Sequence, residues 1–68
     1  MNTIQKAIRG AIGWEEEWHW ASIWALATNE EHDRLHAHLS LNKYLACLKV
    51  LEDEGYPETA NFLRKLEV

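Results

Sequence analysis

The sequence predicts an all-α protein of three to four helices, folded as a helical hairpin or bundle that self-association completes. Leu, Ala, Glu and Lys dominate its second half, and no window alternates apolar and polar residues as a half-buried strand does. Of its 68 residues 47% are hydrophobic and 26% are charged, which is a globular composition. We therefore expect a single helical domain over residues 1–68.

The first half of the chain is predicted to form two short helices, over about residues 3–12 and 14–27. Thr3 is the expected cap of the first helix. Gly13 is expected to break the chain between the two, because glycine weakens a helix interior.

The second half is predicted to form a long helix over about residues 29–54 and a short one over about 57–67. Thr28 and Glu31 have the spacing of a capping box at the start of the long helix. Gly55 is the expected residue just beyond its C-terminus, where a left-handed conformation favours glycine.

The long helix is too long and too apolar for one copy of the chain to cover. Its length is about 38 Å, whereas a compact globule of this size is about 30 Å across. Its apolar residues form two stripes separated by more than about 100° around the helix, and one hairpin covers only one of them. We therefore expect a homodimer. The candidate self-association residues are Leu35, Leu39, Leu41, Leu45, Leu48 and Leu51.

Four tryptophans cluster in the predicted helix 14–27. The first and second are one helical turn apart, as are the third and fourth, and the two pairs point to different sides of the helix. Packing in the core and at an interface is one interpretation. The other is an aromatic, acidic surface that captures a partner protein or a flat ligand. The candidate partner-binding residues are Trp14, Glu15, Glu16, Glu17, Trp18, Trp20 and Trp24.

Two histidines raise the question of a metal site. His32 and His36 are four residues apart, so both imidazoles can converge on one ion, and Glu31 could join them. No Cys or carboxylate pattern completes a recognised zinc spacing, and Asp33–His36 is the single pair with di-iron spacing in the predicted helix 29–54. The other interpretation is a solvated polar helix start. We predict no cofactor, and a metal-binding or small-ligand-binding oligomer stays an alternative.

Composition argues against several functional classes. The 11 acidic residues exceed the 7 basic ones, and the net charge of -4 disfavours nucleic-acid binding. No apolar run is long enough to span a membrane. The single cysteine, Cys47, cannot form an intrachain disulfide, and the N-terminus lacks a signal-peptide pattern, so we expect a cytoplasmic protein. No nucleophile elbow or phosphate-binding glycine loop is present, so we expect no enzymatic activity.

One segment resembles a known module. Residues 50–63 contain, in order, Leu51, Gly55, Tyr56, Thr59, Ala60 and Leu63. This order resembles that of the LisH motif, a short helical dimerisation module. The segment departs from the motif at Pro57 and at Leu66, where the motif favours an acidic residue. The resemblance covers roughly a fifth of the chain and implies self-association.

The sequence thus predicts a small non-catalytic protein–protein interaction module. We expect a regulatory or inhibitory accessory protein of the bacterial or phage type. It would bind itself and a larger protein, the latter through its Trp-rich, acidic helical surface. The alternatives are the His32/His36 ligand-binding oligomer and a LisH-like dimerisation unit.

Overall fold

A computed structural model describes residues 2–65, which form three helices: α1 (Thr3–Thr28), α2 (Glu31–Asp53) and α3 (Pro57–Lys65). The all-α prediction is confirmed. α1 and α2 pack against each other as an antiparallel hairpin, and α3 packs on α2. None of the helices within residues 2–65 combines the length and hydropathy that a bilayer span requires.

The predicted break at Gly13 is wrong. α1 runs without interruption over 26 residues, so the helices predicted at 3–12 and 14–27 are one helix. A glycine in a helix interior costs about 1 kcal/mol relative to alanine. Packing of α1 against α2 on both sides of this position outweighs that local cost.

The prediction that the long helix is too long for one copy of the chain to cover is also wrong, because α1 is of similar length. α1 has 26 residues and α2 has 23, and the molecule measures 39 × 21 × 17 Å. The two helices therefore overlap along the whole of α2.

Two of the predicted helix caps differ from the observed ones. Asn2, not Thr3, caps α1: its Oδ1 accepts from the Gln5 N–H at 2.8 Å, and its own N–H donates to Gln5 Oε1 at 3.3 Å. Thr28 is the last residue of α1 and does not start α2. Its Oγ1 accepts from the Glu30 N–H at 3.3 Å and donates to Asp33 Oδ2 at 2.5 Å. These two hydrogen bonds link the end of α1 to the first turn of α2.

The end of α2 follows the prediction. Gly55 has φ +92°, and its N–H donates to the carbonyl of Glu52 at 3.1 Å. The Tyr56 N–H donates to the carbonyl of Leu51 at 2.8 Å, which completes a Schellman motif. Pro57 then opens α3. Positions 66 and 67 of the predicted last helix, with the LisH departure at Leu66, lie outside the described residues.

The core is asymmetric. The fully buried side chains of α1 are all small, whereas those of α2 include large ones. The buried residues of α1 are Ala7, Ala11, Ala21 and Ala25. The buried residues of α2 and α3 are Ala37, Ser40, Tyr44, Leu48, Leu51, Ala60 and Leu63. The alanines let the axis of α1 approach α2 closely, and α3 closes the core at the open end of the hairpin.

Candidate functional site

The four tryptophans are divided between the core and the surface. Trp14 and Trp18 pack against the core, and Trp18 stacks on Tyr44 with ring centroids 6.2 Å apart and an interplanar angle of 16°. Trp20 and Trp24 are 65% and 62% exposed. The first pair therefore holds the hairpin together, and the second pair is available to a partner.

The side of α1 that points away from α2 carries an apolar and acidic surface. Ile12 is 52% exposed and Ile23 is 60% exposed. They are spaced at helical intervals around Trp20, so all three lie on one side. A depression of about 310 Å³ on this side is lined by Ile12, Glu15, Glu16, His19 and Trp20. We call this surface, with Ile23, the outer face of α1.

A second surface is the groove between α1 and α2. Two depressions of about 200 and 390 Å³ share Glu17 and His36 and are therefore continuous. The first is lined by Glu17, Trp20, Ala21, Trp24, Asp33 and His36. The second is lined by Gly10, Gly13, Trp14, Glu17 and His36.

A third depression extends this groove towards the open end of the hairpin. It measures about 320 Å³ and is lined by Thr3, Lys6, Ala7, Ala46, Cys47 and Val50. Gly10, at the edge of the neighbouring depression, lies directly against Cys47. None of the lining residues of the three depressions belongs to α3. We call the three together the α1–α2 groove.

Charges are unevenly distributed along the α1–α2 groove. Glu17 and Asp33 lie in the half near the helix connection, where Glu17 Oε1 is 2.8 Å from His36 Nε2. Lys43 lies nearer the open end, with its Nζ 4.4 Å from the ring centroid of Trp14, and Lys6 lies at that end. The groove is therefore acidic towards one end and basic towards the other.

The predicted self-association leucines fall into two groups. Leu48 and Leu51 are fully buried within one chain, and Leu41 is half-buried against the same core. Leu35, Leu39 and Leu45 are exposed. The exposed three are the ones that a second copy can reach.

His32 and His36 contact different carboxylates. His32 Nε2 lies 3.3 Å from Asp33 Oδ1 and its Nδ1 lies 3.8 Å from Glu30 Oε2, whereas His36 contacts Glu17. Across residues 2–65 no group of three His, Cys, Asp or Glu side chains is arranged to hold a metal ion.

Cys47 is half-buried beside Gly10. Burial raises the pKa of its thiol above the ordinary value of 9.0. The thiol therefore stays protonated near neutral pH, where only the thiolate is an effective nucleophile.

Sequence reasoning missed Ile12, Gly13 and Lys43 as surface residues, whereas helical spacing does place Ile23 on the face of Trp20 and Trp24. Ile12 could have been found from its helical spacing to Trp20. The position of Gly13 in the groove, and that of Lys43 over Trp14 beside it, depend on how α1 and α2 pack, and no local pattern indicates that packing.

The segment that resembles the LisH motif forms the α2–α3 corner, with Leu51, Ala60 and Leu63 buried in the core. Comparison with known proteins gives no match: no family model, no curated protein and no solved structure matches this chain. The geometry of its surfaces is therefore what bears on its function.

Proposed function

We propose that this chain is a non-catalytic protein–protein interaction module, acting in the cytoplasm as a regulatory or inhibitory accessory protein. It associates with itself and docks on a larger protein. The observation that carries this function is that Trp20, Ile23 and Trp24 are each at least 60% exposed although the hairpin already encloses a core. Exposed apolar patches of this kind mark interaction sites, because their burial by a partner is favourable.

The larger protein docks on the outer face of α1. Trp20 is the anchor, since tryptophan is the side chain most enriched at interface hot spots. Ile12 and Ile23 flank it above and below on the same side of the helix. Glu15 and Glu16 line the same depression, so the complementary site on the partner is an apolar pocket with a basic rim.

Self-association is supported by a separate set of side chains on α2. Leu35 and Leu39 are exposed, and neither is needed for the contact with α1. The LisH resemblance implies the same behaviour. Covering these side chains with a second copy removes apolar surface that one copy leaves in water.

Affinity purification from the source cells with quantitative mass spectrometry tests docking on the outer face. The bait carries Trp20→Ala and Ile23→Ala together, with Phe62→Ala as the matched control because Phe62 is 63% exposed on α3. We expect one stoichiometric partner to be lost from the first bait and kept by the control, with the helicity of both baits unchanged. The purified partner should then bind less tightly as salt rises.

Retention of the same partner by the doubly substituted bait contradicts docking on the outer face. Absence of any stoichiometric partner contradicts the accessory role. Self-association is tested separately by sedimentation equilibrium of the purified chain, and a species of 8.0 kDa at every concentration contradicts it.

A further inference from the structure

We propose that the α1–α2 groove is where two copies of the chain meet, packed groove to groove and antiparallel as a four-helix bundle. This inference rests on the proposed self-association and assigns its surface and geometry. Gly13 lies near the middle of α1, at the edge of the groove.

Gly13 has no packing explanation within one chain. A Cβ placed on Gly10 comes within 2.9 Å of Cys47 Sγ, so Gly10 is required by the approach of α1 to α2. A Cβ placed on Gly13 meets nothing within 4 Å. Glycine at this site weakens the helix without relieving any internal contact. Close approach of an external chain to the groove explains it.

The charges in the groove are complementary to those of a second, antiparallel copy. The midpoint of α1 lies between Glu15 and Glu16. A two-fold axis there, perpendicular to the helix, places Glu17 of one copy at the level of Trp14 of the other, where Lys43 stacks on the indole. Symmetry creates this contact twice, and the acidic half of each groove faces the basic half of the other.

The shapes of the two halves are also complementary. The same axis places Trp24 of one copy at the level of Ala7 of the other. Ala7, Ala46 and Cys47 contribute small side chains to the wall of the depression of about 320 Å³ at the open end, which Lys6 and Val50 also line. A 62% exposed indole thus meets a recess that its own chain leaves empty. Large side chains packed against small ones are the ordinary arrangement of a bundle core.

Leu39 extends the same wall of the groove. It lies two helical turns from Ala46 on the same stripe of α2 and is 48% exposed. The broad side of the molecule measures 39 × 21 Å, an area on the order of 800 Å², which is what a stable interface buries on each partner. The closed two-fold arrangement covers this side once. It leaves the outer face of α1 free for the larger protein except at Trp20, which lies on the border and lines both surfaces.

Charge reversal tests the pairing with the purified full chain. Lys43→Glu and Glu17→Lys are made separately, with Lys49→Glu and Glu16→Lys as matched controls that carry the same charge changes outside the groove. We expect each groove variant to raise the dimer dissociation constant about tenfold or more, because each reversal creates two repulsive contacts. The controls should stay near the wild-type value.

An equimolar mixture of the two groove variants is the decisive sample. In a mixed dimer one of the two symmetric contacts keeps the native pair of Glu17 and Lys43. The other contact joins the two substituted side chains, whose charges are exchanged and therefore still opposite. We expect sedimentation equilibrium and native mass spectrometry to show the mixed dimer at wild-type affinity, with both parents monomeric at the same concentration. Circular dichroism at matched temperature verifies that every variant is folded.

A steric variant gives an independent readout. Gly13→Leu directs a side chain into open space in one chain and into the partner in the pair. We expect it to raise the dimer dissociation constant at least about tenfold while leaving the helicity of the monomer unchanged.

The outcomes separate the inference from the function on which it rests. A wild-type chain that stays monomeric overturns self-association and the groove pairing together. A wild-type dimer that Gly13→Leu and both reversals leave intact overturns the groove pairing alone. The groove pairing is also overturned if the control variants weaken the dimer as much as the groove variants do and the equimolar mixture of the two groove variants does not restore wild-type affinity.

Discussion

Gly10 on α1 lies directly against Cys47 on α2, so closely that a Cβ on residue 10 comes within 2.9 Å of the sulfur, whereas a Cβ on Gly13 meets nothing within 4 Å. We expect Gly13→Ala to raise the free energy of unfolding of the monomer by about 0.5–1 kcal/mol. Gly10→Ala should lower the free energy of unfolding by about 1–3 kcal/mol relative to the wild-type chain, because the added methyl group overpacks the contact with Cys47. Urea titration of both variants at concentrations where the chain is monomeric measures the difference.

Cys47→Ala provides the control for this comparison. In that background the sulfur is gone, and the two alanine variants should differ less. Equal free energies of unfolding for Gly10→Ala and Gly13→Ala in the wild-type background would show that the contact is too soft to matter.

The core and surface tryptophans should respond differently to truncation. Trp18→Ala removes an indole that stacks on Tyr44, so we expect a loss of about 3 kcal/mol in the free energy of unfolding. Trp20→Ala removes an exposed side chain, and we expect a change within about 0.5 kcal/mol. Thermal melts followed by circular dichroism compare the two, and a larger effect at Trp20 contradicts the assignment.

The stability of the fold should decline in alkaline solution because of Cys47. Burial raises the pKa of its thiol above the ordinary value of 9.0, so in the unfolded chain it ionises at lower pH than in the folded one. The stability that the fold gains from keeping this thiol neutral is fully present below pH 9.0, and it is lost as the pH rises through the folded-state pKa. Free energies of unfolding from about pH 7 to about pH 10.5 should therefore fall more steeply for wild type than for Cys47→Ala. Parallel curves contradict the prediction.

The corner between α2 and α3 should depend on the backbone conformation of Gly55. Its φ of +92° lies in the left-handed region, so we expect Gly55→Ala to cost about 1 kcal/mol or slightly more. Gly55→Asn should cost less, because asparagine tolerates this region better. Differential scanning calorimetry of the two variants orders them, and an unchanged Tm for Gly55→Ala counts against a constrained corner.

Local signals at the α2–α3 corner were sufficient to predict it. Gly55 and Pro57 act on their own backbone and on the adjacent turn, so their effects are visible within a few residues of sequence. The break predicted at Gly13 is wrong because the outcome there depends on tertiary packing and not on the local sequence. Its local cost is small beside the packing of a 26-residue helix along α2, and that packing is a tertiary property.

The division of the tryptophans was predictable only in part. Helical spacing separates Trp14 and Trp18 from Trp20 and Trp24. Which pair turns inward depends on the side of α1 that α2 occupies, and the alanines at 7, 11, 21 and 25 choose that side. A search for small residues at helical spacing would have identified the inner face of α1. The groove, by contrast, exists only once both helices are in place.

The alanine-lined inner face of α1 has a consequence for the alignment of the hairpin. A smooth surface of methyl groups offers little resistance to sliding, so these four residues do little to choose one axial setting of α1 against α2. The axial setting therefore depends on the specific contacts around them, chief among which are the Gly10–Cys47 approach, the Trp18–Tyr44 stack and the Glu17–His36 contact. Substitutions there should produce chains that stay helical but populate several offsets.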